Sequence, residues 1–255
     1  MLRFYLDFDG VIADSARECI HVAYSVWSAF NESKLFGAIS EQQRTQILEQ
    51  SINFRYLVIP PENYYCLIDT IFQIQTTFNS EVTADDVIKL FYRKVESADV
   101  RMLTKFKEEF FSSREEKLAT CSDTSWVAEN PPTVFVREFF RMAERYPIKV
   151  SIVSQKNRQA IKKWFNGAGF TVDAIFGNES VNKYGGKFNL IKDLQRSDEY
   201  QKAVFIDDMA LEINPYNWKN INVITFIAGW GFNDFEDNTQ ALLLTIKGHL
   251  DDLSN

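Results

Sequence analysis

A few residues of this chain combine types and positions that suit chemistry on an anionic group. In "FYLDFDGVIADS" an apolar run ends in two carboxylates, Asp7 and Asp9, one residue apart. The apolar run of "KAVFIDDMALE" ends in Asp207 and Asp208, and that of "KVSIVSQKN" ends in Ser154. Taken alone, "DFDGV" is equally a hairpin signal, because Asp-Gly between apolar runs supplies the positive φ of a tight turn. Placement separates the two readings. Ligands of open parallel sheets bind beyond the carboxyl ends of the strands, so three such strands would deliver Asp7, Asp9, Ser154, Asp207 and Asp208 to one edge. Four carboxylates gathered there cannot all stay ionised without a counter-charge. Oxygen ligands with no His or Cys among them suit Mg²⁺, which takes one or two carboxylates, water and a substrate phosphate.

The elements that must position these residues follow from pattern. Short β-branched and aromatic runs recur as "LRFYL", "IKVSIV", "DAIFG", "KAVFI" and "NVITFI". Helix-like segments such as "PTVFVREFFRMAERY", "NRQAIKKWFNGAG" and "FNLIKDLQ" separate most of them. Strands that are apolar throughout and alternate with helices predict an α/β fold with a Rossmann-like parallel sheet covered on both faces. Gly167 and Gly169 are expected to cap the second of those helices, and Gly185 and Gly186 to form a flexible loop.

The first two strands are separated by residues 7–147, far more than the dozen or so that a crossover needs. Most of the interval reads as helix: "SARECIHVAYSVWSAF", "NYYCLIDTIFQIQTTF" and "VRMLTKFKEEFFSS" carry apolar stripes, and Thr83 with Asp86 has the spacing of a capping box. Residues 16–129 are therefore expected to form an all-helical insertion, with 1–15 and 130–255 forming the core domain. Asn130-Pro131-Pro132 marks the return to the sheet.

Composition excludes several classes. A net charge of −7 argues against general affinity for nucleic acid or anionic membrane. No apolar run approaches the ~20 residues of a membrane span, and Asp7 and Asp9 interrupt the place where the apolar region of a secretory signal would lie. The chain has 22 Phe, 10 Tyr and 5 Trp, which marks it as folded. Cys19, Cys66 and Cys121 are odd in number and widely spaced, as expected of reduced thiols in a cytoplasmic protein. His21 and His249 supply neither a triad nor a His-rich metal site, so carboxylates are left to do any chemistry. No P-loop or GxGxxG is present.

In order along the chain, "DFDGVIADS", the Ser after "KVSIV", a downstream Lys in "GGKFNLIKDL" and "VFIDDMALE" resemble the four motifs of the haloacid dehalogenase superfamily. The match spans residues 1–15 and 130–232, and the insertion resembles a cap domain in position and helicity. The resemblance implies that Asp7 is the nucleophile, forming an aspartyl-phosphate. Asp9 would be the general acid and base, with its backbone carbonyl facing a metal ion. Asp208 and Asp207 would complete the metal site with Asp7, and Glu212 stands where a third acidic residue often sits. Ser154 would hold phosphoryl oxygens. Lys187 would neutralise the charge on the transferred group, with Lys183 the alternative. Lys156 and Arg158 also follow Ser154 and are read as exposed cations at a helix start.

Asp9 sets the expected reaction class. An acid on the leaving group helps expel an alkoxide from a phosphate ester, whereas halide needs none. The expected activity is thus Mg²⁺-dependent hydrolysis of a small phosphorylated metabolite. A mutase of the β-phosphoglucomutase type is the alternative, and a non-catalytic binding module on the same fold is a further one. An insertion of this length is expected to cover the site and to hinge near residues 14–17 and 128–132. Arg17, Arg55, Tyr56, Tyr64 and Tyr65 are candidates to contact a leaving group, although the aromatics suit the insertion's own core equally.

Overall fold

A computed structural model describes residues 2–32, 39–77, 82–197, 202–213, 218, 221–233 and 236–251. The chain divides into two compact units, residues 1–15 with 122–255 and residues 16–121.

The first unit is built on a five-stranded parallel sheet in the order β3-β2-β1-β4-β5. Its strands are β1 (Leu2–Leu6), β2 (Ile148–Val153), β3 (Ala174–Phe176), β4 (Lys202–Asp207) and β5 (Val223–Ile227). The apolar runs of the sequence become these strands because a central parallel strand is buried on both faces. Phe4, Tyr5 and Leu6 of β1 and Phe205 and Ile206 of β4 are fully buried, each contributing about 1.5–3 kcal/mol relative to an exposed side chain. Leu6 pairs with Ile152 on one side and Ile206 on the other, so the three strands end in step.

The second unit holds helices α1 (Ala16–Phe30), α2 (Glu41–Asn53), α3 (Asn63–Thr77), α4 (Ala84–Ser97) and α5 (Val100–Thr120), with a 3₁₀ turn at Arg55–Leu57. Thr83 and Asp86 close the expected capping box at the start of α4. A second box, Ser40 with Gln43, starts α2, a helix that its weak apolar pattern does not announce. Trp27, Ile47, Leu67, Ile71, Phe91 and Phe106 form the buried centre of this unit. Tyr64 belongs to that core and Tyr65 and Tyr56 pack against it.

The remaining helices belong with the sheet: α6 (Asp123–Glu129), α7 (Val134–Ala143), α8 (Arg158–Ala168), α9 (Asn178–Tyr184), α10 (Lys187–Ser197) and α11 (Thr239–Asp251). The insertion thus ends at residue 121 and not at 129. Packing of α6 on α8 is the reason: the Trp126 indole N–H donates to the Ala160 carbonyl at 3.0 Å. A Cβ on Gly167 would lie 2.4 Å from the Asp123 carbonyl oxygen, so Gly167 serves this close approach and does not cap α8. Gly169, at φ +75°, is the cap. The 128–132 segment, expected as a hinge, lies inside the first unit, with Asn130 buried and its carbonyl accepting from Trp164 Nε1 at 2.6 Å. Gly185 and Gly186 form a tight left-handed stop between α9 and α10, their N–H groups bonded to Asn182 and Val181 carbonyls. Among the described residues no helix is long and apolar enough to cross a membrane.

Candidate active site

Where β1 ends, the Asp7 N–H still donates to the Ile206 carbonyl at 2.9 Å, which holds Asp7 in register with β4. Phe8 is fully buried against Trp164, with ring centroids 5.4 Å apart. Gly10 then turns the chain at φ +81°, and the N–H groups of Ile12 and Ala13 return to the Phe8 carbonyl at 2.9 and 3.0 Å. The Asp-Gly signal therefore does mark a turn, but a tight excursion beyond a parallel strand and not a hairpin. A Cβ on Gly10 would lie 2.3 Å from Asp208 Oδ2, so glycine is required both by the backbone angle and by this approach.

β4 ends in Asp207. Its Oδ1 accepts from the Met209 N–H at 2.9 Å, and its main-chain carbonyl accepts from Ala228 N–H at 2.9 Å. Asp208 is fixed by the segment after β5: its Oδ2 accepts from the Phe232 N–H at 2.6 Å, and its carbonyl accepts from Asn233 Nδ2 at 3.0 Å. Lys187, the first residue of α10, donates to Asp207 Oδ2 at 2.7 Å and lies 3.1 Å from Asp7 Oδ2. Lys183 is exposed on α9 beside the Tyr184 ring. Ser154 follows β2, donating its N–H to the Phe176 carbonyl at 3.0 Å while its hydroxyl accepts from the Lys156 N–H at 3.3 Å.

Asp7, Asp207 and Asp208 each present a carboxylate oxygen within 4.8 Å of the other two. Burial is the main cause that raises Asp7, to about 6; Lys187 and the Ser154 hydroxyl oppose it, while Asp207 and Asp9 add to it. Burial likewise pushes Asp208 up to about 8, helped by Asp207 and Asp7 and resisted by the Phe232 N–H and Lys187. Burial raises Asp207 too, against the pull of Lys187. Burial works against charge on Lys187, yet Asp207, Asp7 and Glu212 together raise it above the ordinary lysine value. Glu212 thus acts on the cluster electrostatically, from a half-buried position after β4.

The donor set fits a hard divalent cation. Three buried carboxylates face one lysine, and Asp7 Oδ1 is buried with no hydrogen-bond partner. Such an atom calls for a cation or a reacting group. Asp9 is not part of the triad. Its Oδ1 accepts from Lys156 Nζ at 2.7 Å and from the Ser15 hydroxyl at 2.5 Å.

Lys156 reverses its expected place, being buried and not an exposed helix-start cation. Nothing near it in sequence signals this, because its partner is 147 residues away. Phe232 and Asn233 were also outside the motifs. Their contribution is main-chain and amide hydrogen bonding to Asp208, which leaves no pattern in residue types. Arg17, Arg55, Tyr56, Tyr64 and Tyr65 all belong to the second unit, whereas the carboxylate cluster is built by the first.

No protein-family model matches the sequence, and no curated protein matches it. Solved structures do. A haloacid dehalogenase-like hydrolase from Streptococcus pneumoniae superposes with a TM-score of 0.54 at 14% identity, covering 95% of this chain and 89% of that one. A protein from Clostridium acetobutylicum, described as a predicted phosphatase, gives 0.53 at 17% identity over 96% and 98% of the two chains. Another hydrolase from Streptococcus pneumoniae gives 0.50 at 10% identity over 96% and 97%. With its strand order, its helices inserted after β1 and its carboxylates at the strand ends, this chain has the fold of the haloacid dehalogenase-like hydrolases.

Proposed function

We propose that the protein is a Mg²⁺-dependent phosphatase that hydrolyses the phosphate monoester of a small metabolite through an aspartyl-phosphate on Asp7. The observation that carries this reading is Asp7 Oδ1, buried and without a hydrogen-bond partner among Asp207, Asp208 and Lys187. Asp7, Asp207, Asp208 and the Asp9 carbonyl would hold the ion, whose charge would offset the carboxylates and the phosphoryl oxygens.

Asp7 Oδ1 attacks phosphorus, and the bond to the leaving oxygen breaks as Asp9 passes that oxygen a proton. Water then attacks the phosphorus, Asp9 takes the water's proton, and the bond to Asp7 breaks to release inorganic phosphate. Lys187 keeps a fixed positive charge beside the nucleophile, where charge gathers on the transferred group. The Ser154 hydroxyl binds a phosphoryl oxygen. We place the protein in the cytoplasm, in accord with Cys19, Cys66 and Cys121 all being unbridged thiols.

Turnover of p-nitrophenyl phosphate tests the reading. Wild-type protein is expected to release p-nitrophenol only with Mg²⁺, and Asp7→Asn to lower the rate at least ~10³-fold. Absence of metal-dependent turnover, or full activity in Asp7→Asn, would overturn it.

A further inference from the structure

We infer that Lys156 is a positioning residue for Asp9: together with Ser15 it anchors Oδ1 and so assigns proton transfer to Oδ2. The inference rests on the reading of Asp9 as general acid and base. The Lys156 side chain is 1% exposed, whereas that of Asp9 is 23% exposed. The ammonium is therefore not a surface cation that happens to meet a carboxylate. Its Nζ lies 5.3 Å from the centroid of the Phe8 ring and 5.6 Å from that of Trp126. Two aromatic faces stabilise the charge within a buried setting and limit where the ammonium can go. Phe8 is the residue between Asp7 and Asp9, and Trp126 is tied to α8 through the Ala160 carbonyl. The cation is thus held by parts of the fold that also fix the catalytic turn.

The consequence lies in the two oxygens of Asp9. Oδ1 accepts from Lys156 Nζ at 2.7 Å and from the Ser15 hydroxyl at 2.5 Å. Two donors aimed at one oxygen exclude a proton from it, so any proton that Asp9 exchanges is carried on Oδ2. A carboxyl group without this anchor can rotate about its Cβ–Cγ bond, presenting either oxygen at varied angles. Misplacement of a catalytic group by about 1 Å costs on the order of 10²-fold.

The role predicts a signature that a merely structural lysine lacks. A poorly placed acid matters most when the leaving oxygen is strongly basic and least when it departs unaided. The experiment compares kcat/KM for a series of Mg²⁺-assayed aryl phosphates, from p-nitrophenyl through phenyl to p-methylphenyl, in wild type, Lys156→Met, Ser15→Ala and Asp9→Asn. Lys156→Met is expected to lose severalfold on p-nitrophenyl phosphate but about 10- to 100-fold on the p-methylphenyl ester. Ser15→Ala should show the same trend with a smaller loss. Lys156→Arg, which keeps the charge, is expected to recover part of the loss.

Equal losses across the series in Lys156→Met, with a steepened series in Asp9→Asn, would overturn the inference while leaving Asp9 as the acid. A flat series in Asp9→Asn would remove the acid role and the inference with it. If Lys156→Met does not fold, by circular dichroism, the Ser15→Ala and Lys156→Arg series decide the question by the same criterion.

Discussion

Lys187 and Asp207 form an ion pair at 2.7 Å in which the two side chains are 2% and 0% exposed. The lysine also reaches Asp7 at 3.1 Å, so one cation serves both buried carboxylates. Replacing Lys187 by Met removes the only charge that offsets this pair of carboxylates among the described side chains. Loss of one preorganised charge at a reacting group costs about 10²–10³-fold in kcat. Breaking a buried pair costs about 3–5 kcal/mol because the partner is left without its counter-charge. Lys187→Met is therefore expected to lose both activity and stability, while the exposed Lys183→Met changes each by little. A Lys183→Met variant as impaired as Lys187→Met would contradict this assignment.

The carboxylate cluster also sets how stability depends on pH. Burial raises Asp7 to about 6 and Asp208 to about 8, above the range of carboxylates in an unfolded chain. The metal-free folded state thus holds protons that the unfolded state releases, and stability falls where this is so. The contribution is fully present below the usual carboxylate range and is lost as pH rises through about 6 and then about 8. With chelator present, the melting temperature is expected to drop between about pH 5 and about pH 9, and Asp208→Asn to flatten the drop. Added Mg²⁺ should raise the melting temperature more at the alkaline end, where the carboxylates are ionised. A rise in metal-free stability across that interval would contradict the burial of these groups.

What was legible in the sequence follows from how each feature is encoded. Strands β1, β2 and β4 were legible because burial on both faces demands unbroken apolar runs, and the polar residue ending each run marks the site edge. Asp7, Ser154, Asp207 and Asp208 could be placed on that basis alone. Lys156 could not, since its role depends on a partner at the other end of the chain and on rings from two further elements. Residues 122–129, helical like the insertion, belong to the sheet unit. Helix α6 has a local pattern like those before it, and only its seat on α8 assigns it to the sheet unit. Gly167 carries the same ambiguity, because a glycine needed for close approach and one needed for positive φ look alike in sequence.

Gly231 cradles Asp208 from the segment after β5. A Cβ there would lie 2.2 Å from Asp208 Cβ, a separation that only backbone displacement can relieve. Gly231→Ala is expected to shift Asp208 and to raise the Mg²⁺ concentration for half-maximal activity at least ~10-fold, as disturbance of ligand-orienting contacts does elsewhere. Gly169→Ala is the control. That position has φ +75° but nothing within 4 Å of the added atom, so it should lose about 1 kcal/mol of stability with the same metal requirement. Titration of activity with Mg²⁺ and thermal melts of both variants distinguish the effects. An unchanged metal requirement in Gly231→Ala would show that Asp208 tolerates the displacement.

The insertion contains an ion pair of its own that tests its packing independently of the site. The Glu18 side chain is 0% exposed and accepts from Arg114 twice, Nε to Oε1 at 3.0 Å and Nη2 to Oε2 at 2.8 Å. Cys19 Sγ adds a weaker donor to Oε2 at 3.6 Å. The Arg114 guanidinium also lies 5.4 Å from the centroid of Phe110, whose ring stacks on Tyr64 at 5.3 Å. Arg114 joins α5 to α1 through charge and through this aromatic layer. Arg114→Met keeps most of the apolar contact but takes the guanidinium away from a buried carboxylate, at a cost of about 3–5 kcal/mol. Glu18→Leu with Arg114→Met removes both charges and is expected to recover most of that loss, because two apolar groups in the space of a buried pair are often neutral or stabilising. Urea midpoints of the single and double variants measure the difference. A single variant within about 0.5 kcal/mol of wild type would mean that the pair contributes no more than an exposed one.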